Sequence, residues 1–210
     1  MIALRTIAAG VLAGAFLGLA MANGARSAAP GETLKDAAAF SAIADKHERS
    51  VALFSEAMKV IGHPRCVNCH PAGDRPTQGD DEHPHNPPVV RGPSDIGAAG
   101  LQCPACHMQR NTPVLGERIK SVPGDPQWHA APIEMAWQGK TAAEICAQIK
   151  DKTRNGGRDL AQLHEHMATD HLVGWGWNPG AGRTPVPGTQ KQFGDIIQAW
   201  IDTGAACPAN

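Results

Sequence analysis

Apolar positions recur at helical spacing in several stretches of the chain. Between Glu32 and Ile61, the residues Phe40, Ile43, Val51, Phe54, Met58 and Ile61 fall three, four or seven apart, which predicts one or two helices, stopped by Gly62 and Pro64. Thr141-Ala142-Ala143-Glu144 has the form of a capping box and predicts a helix to about Lys152, ended by Asn155-Gly156-Gly157. Asp159 opens another over DLAQLHEHMATDHLV. A last helix is predicted from about Gln190 to Asp202, with Phe193, Ile196, Ile197, Trp200 and Ile201 facing inward and Gly204 as its terminator.

Between these stretches the pattern disappears. Pro71 to Gly100 is too rich in proline and glycine to sustain a helix or a central strand, and a long stretch of this kind inside a compact domain is usually functional or disordered. WGWNPGAGRTPVPG reads as an ordered loop packed by Trp175 and Trp177. At the other extreme, Ile7 to Ala20 is a continuous apolar run behind Arg5, followed by Ala20-Met21-Ala22. This has the layout of a signal peptide over residues 1–22. The run is shorter than the roughly 20 residues of a spanning helix, so export to the periplasm with no membrane span after cleavage is expected; the alternative is an uncleaved membrane anchor.

One domain is expected over residues 23–210: an N-terminal helical region (31–61), a cofactor-attachment region (62–110) and a helical C-terminal half (111–210). Composition sharpens this picture. The chain has 23 Gly and 17 Pro but only four Phe and no Tyr, so something other than side chains is expected to fill part of its centre. Without Arg5 the balance is 18 basic against 20 acidic residues, which suggests no nucleic-acid partner.

The six cysteines carry the chemistry. Loose thiols are not expected in an exported protein, and Cys146 with Cys207 is most simply a disulfide tying down the C-terminus. The other four form CVNCH (Cys66, Cys69, His70) and CPACH (Cys103, Cys106, His107). Zinc ribbons place their C-x-x-C units roughly 15–20 residues apart and need no trailing histidine; here 33 residues intervene and the histidine appears twice. A thioredoxin-like motif needs an α/β framework. The duplicated unit therefore points to two covalent haem c groups, with His70 and His107 as the proximal iron ligands. Buried macrocycles would then be part of the folding free energy, and a largely unfolded haem-free protein is expected.

The sixth position of each iron has more candidates than places: His47, His63, His83, His85, His129, His164, His166, His171 and the methionines. Helical periodicity favours His164 or His171 as the buried ones. Arg65, Arg91, Arg110 and Arg183 could face haem propionates, and the tryptophans could pack against haem.

Residues His85-Asn86 with Val90-Arg91-Gly92, the second C-x-x-C-H, Pro132 with Met135-Ala136-Trp137, His166-Met167, Leu172-Val173 with WGWNPG, and Gly204 to Pro208 give the chain from about Gly62 to Pro208 a resemblance to a known family. It resembles exported dihaem c-type cytochromes, some of them associated with isoquinoline 1-oxidoreductase-type molybdenum hydroxylases. The resemblance implies His85 and His166 as distal ligands, with Met135 the alternate. The fold expected is mainly α, a small cytochrome c-like helical domain with long loops wrapped around two haems. The expected function is single-electron transfer, with a molybdenum-cofactor dehydrogenase as donor and a cytochrome or oxidase as acceptor. The competing class is a peroxidase-like haem enzyme or a gas or redox sensor with one open iron.

Overall fold

The structure, a computed structural model, describes residues 33–116 and 119–209. The apolar leader and its cleavage site lie outside the described residues. Among the described residues no helix is long and apolar enough to cross a membrane.

Helices occupy the two ends of the described chain. The first, α1 (Lys46–Ile61), begins where the Asp45 carboxylate accepts from the Glu48 amide at 2.7 Å, and it buries Leu53, Phe54, Ala57, Val60 and Ile61 along one stripe. α2 (Pro64–Val67) is a single turn, set off from α1 by Gly62 and His63. The capping boxes at Thr141 and Thr189 start α3 (Ala142–Lys150) and α6 (Gln190–Asp202). α3 stops short of Lys152, because Asp151 is extended; the buried Asn155 then donates Nδ2 to the Ile149 carbonyl at 2.7 Å.

The predicted helix from Asp159 is broken in two. α4 (Leu160–Thr169) ends at Asp170, whose extended backbone (φ −62°, ψ 128°) and side chain restart the chain as α5 (His171–Gly174). A single helical wheel over both pieces therefore misplaces His171, which is exposed, while Leu163 and Met167 are buried.

α1, α3, α4 and α6 enclose a hydrophobic core that includes Phe54, Ile145, Ile149, Ile196 and Trp200. Phe54 and Trp200 pack with ring centroids 5.2 Å apart. Gly194 of α6 lies against Ala168 of α4, where an added Cβ would stand 2.6 Å from the alanine methyl. The Cys146–Cys207 disulfide joins α3 to the C-terminal segment across 61 residues. This core is built of side chains from the helices at either end of the described chain.

The expectation of a mainly α domain does not hold. Alongside its six α-helices, the described chain has three antiparallel two-residue pairs: β1 (Thr77–Gln78) with β2 (His83–Pro84), β3 (Gly97–Ala98) with β4 (Leu101–Gln102), and β5 (Thr112–Pro113) with β6 (Ser121–Val122). The architecture is mixed, helical at its ends and built of small strand pairs and turns between. Proline and glycine exclude central strands, but isolated pairs have only edges, where Pro84 and Pro113 withhold no ladder hydrogen bond from a further strand.

Candidate cofactor-binding site

Both C-x-x-C-H units curl into the same kind of turn. After α2, Cys69 N donates to Cys66 O at 3.1 Å and His70 N to Cys66 O at 3.2 Å. After β4, Cys106 N donates to Cys103 O at 3.2 Å and His107 N to the same carbonyl at 2.9 Å. Two thiols and an imidazole therefore leave one turn in each case. The second turn is set by Gly97, which faces Gln102 at φ +103°, with an added Cβ only 2.7 Å from Leu101 O. Burial pushes the Cys66 thiol up to about 12 and Cys69 to about 11, so both stay neutral.

The two motif histidines are held alike. His70 donates Nδ1–H to the Met135 carbonyl at 2.7 Å, and His107 donates to the Pro123 carbonyl at 2.8 Å. A carbonyl can only accept, so the proton sits on Nδ1 and Nε2 is left with its lone pair, the tautomer a metal-binding histidine needs. Trp137 stacks on His70 at 3.5 Å and 3°, and Trp128 on His107 at 4.5 Å and 7°. Burial lowers His70 to about 3 and His107 to about 4, keeping both rings neutral.

Opposite His107 stands His85. Its ring centroid is 6.0 Å away at 59°, and its own Nδ1–H is given to the Pro87 carbonyl at 2.9 Å. Two imidazoles sharing one metal through Nε2, with metal–nitrogen bonds of about 2 Å and ring radii of about 1.1 Å, would have centroids about 6 Å apart. His166, on α4, is within electrostatic reach of His70, whose pKa it helps to lower after burial itself. Its Nδ1–H is given to Asp170 Oδ2 at 2.9 Å.

The remaining candidates are placed differently. Met135 offers His70 its backbone carbonyl, while its side chain is buried in the hydrophobic core. His83 has both ring nitrogens engaged, with Asp81 at 2.6 Å and Gln78 at 3.0 Å. His171 pairs with Asp125 at 2.6 Å. His63 is buried and accepts the Arg65 amide at 3.2 Å as the cap of α2, and His47 is exposed. His129 lies between the two sites, lining the cavity beside His107 and acting electrostatically on His70 and His166.

A cavity of about 340 Å³ is lined by Cys69, Cys103, Cys106, His85, His107 and Trp128. Arg65 and Arg183 stand on its wall. Arg65 is buried and paired with Asp80, and Arg91 is buried against Asp95 and the Ala131 carbonyl, yet the Nε of each has no partner. A buried guanidinium N–H left over in this way suits an anionic oxygen. Around this mostly apolar space the facing His85 and His107, the Cys103 and Cys106 thiols and the unsatisfied Arg65 Nε form a set that fits a haem with its propionates. Among the described residues, no three His, Cys, Asp or Glu side chains converge on one point; His85 and His107 face each other as a pair.

Compared with protein-family models, curated proteins and solved structures, the chain has no match. Two parts of the site escaped the sequence reading. The stacked tryptophans and the carbonyls of Met135 and Pro123 depend on tertiary placement, whereas Asp170, four residues after His166, is signalled by ordinary helical spacing.

Proposed function

We propose that this chain is an exported dihaem c-type cytochrome that carries single electrons between redox proteins. The observation that carries the reading is the His85 and His107 pair, 6.0 Å apart across a cavity edged by Cys103 and Cys106. Cys66 and Cys69 on one turn, and Cys103 and Cys106 on the other, supply the thiols for attachment. His70 and His107 would hold the irons through their Nε2 atoms, together with His166 and His85. When bound, each haem supplies a one-electron iron couple.

The residues do the rest. Carbonyl partners fix His70, His85 and His107, and the Asp170 carboxylate fixes His166, so that Nε2 is presented; Trp137 and Trp128 hold the His70 and His107 rings, and Arg65 and Arg91 offer donors to carboxylates. Met135, whose carbonyl meets the Nδ1 edge of His70, belongs to the near side of that site and is an orienting residue in this reading. If His85 and His166 hold the irons opposite the motif histidines, no position would be left for peroxide or another small substrate, which is why electron transfer is preferred here to haem enzyme chemistry. Resemblance suggests a molybdenum-cofactor dehydrogenase as donor and a cytochrome or oxidase as acceptor.

The test is the haem content of the protein produced in a host with cytochrome c maturation, followed by exposure of the reduced form to carbon monoxide. Two covalent haems per chain and no carbon monoxide binding are expected. Fewer haems, or rapid carbon monoxide binding to the unmodified protein, would contradict the reading.

A further inference from the structure

Three of the four imidazoles assigned to the irons above give Nδ1–H to a neutral backbone carbonyl: His70 to Met135, His107 to Pro123 and His85 to Pro87. His166 gives its proton to a carboxylate instead, Asp170 Oδ2 at 2.9 Å. That carboxylate is fixed. Its other oxygen accepts the Leu172 amide at 2.8 Å as the cap of α5, and the Asp170 carbonyl accepts from Gln190 Nε2 at 2.9 Å. The adjacent His171 is turned to Asp125. The break between α4 and α5 thus exists at the one residue that also holds His166.

A hydrogen bond to a carboxylate is roughly twice as strong as one to a neutral acceptor, and a carboxylate behind a ligating histidine raises the basicity of the ring. A more basic imidazole donates more charge to a metal and favours its oxidised form. Arg158 and His129 act on His166 in the opposite sense, and Arg91 and His129 do so on His70. Resting on the dihaem reading above, we propose that Asp170 is a positioning residue that lowers the reduction potential at the His70 and His166 site alone, making the two sites electronically unequal.

Redox titration of the two-haem protein and its D170N variant tests this. Asparagine keeps an oxygen for the Leu172 amide and removes the charge behind His166. One midpoint is expected to rise by about a tenfold change in the redox equilibrium, about 59 mV for one electron, while the other stays. D170E should restore it. D170S, which also retains a capping oxygen but withdraws from His166, should move the same midpoint even if D170N is poorly produced. The midpoint that moves should be the one displaced by H166M and not the one displaced by H85M. Equal movement of both midpoints, no movement, or failure of D170E to restore the value would overturn the role of Asp170. Haem content measured on the same samples separates the two claims: fewer than two haems on the unmodified chain overturns the dihaem reading, whereas two haems with an immobile midpoint overturns only this one.

Discussion

At the scale of residues, the candidate site works by subtraction: His70, His85, His107 and His166 each have Nδ1 occupied, so that Nε2 is presented. Replacing His85 by alanine removes the imidazole that faces His107 without touching the His70 turn. H85A is expected to bind carbon monoxide at one haem per chain after reduction, against none for the parent, as read by Soret difference spectra. His63 illustrates a different consequence of burial. Its pKa is lowered from 6.5 to about 4 by burial and then by Arg65. Above pH 6.5 the ring is neutral whether the chain is folded or not, and it contributes no pH dependence. Between 6.5 and 4 the unfolded chain takes up a proton that the folded one resists, so stability falls with falling pH, by about 3 kcal/mol in all. H63N, which retains a capping side chain, should flatten that part of the acid limb in urea titrations at successive pH values; an unchanged limb would show that His63 is not its source.

At the scale of elements, the helices were legible and the middle of the chain was not. The capping boxes at Thr141 and Thr189 and the apolar stripes of α1 and α6 are local, so their sequence is enough to define them. The break at Asp170 was hidden because its cause is a side chain that serves both the end of one helix and the start of the next. The three strand pairs were missed because two-residue pairs carry no alternating pattern to read. Likewise, spacing marked His70 and His107 as candidate iron ligands, but the approach of His85 to His107 is a tertiary contact that spacing does not carry. The same division predicts how the haem-free chain behaves. Amides of α1, α3, α4 and α6 should keep hydrogen-exchange protection because their core is built of side chains, while residues 71–131 should lose it. Uniform loss of protection would mean that the helical core depends on the cofactor after all.

At the scale of the whole molecule, a helical core closed by a disulfide supports a loop-built region that carries the two C-x-x-C-H units. Cys146 and Cys207 are joined across 61 residues, a closure worth about 4 kcal/mol on chain-entropy grounds. C146A/C207A should therefore lose roughly 2–4 kcal/mol in denaturant unfolding and leave the visible spectrum unaltered, since the bond lies in the core and not among the paired histidines. A spectral change in that variant would mean that the core and the cofactor region are coupled more tightly than their separate packing implies.

The central claim is that four histidines close two haem irons from both sides. Near-infrared magnetic circular dichroism of the ferric protein tests it most directly, because the charge-transfer bands of low-spin haem distinguish histidine/histidine from histidine/methionine ligation and from high-spin iron. Two low-spin haems, both with histidine/histidine bands, are expected; a methionine-ligated or high-spin component, or no haem bands, would contradict the account.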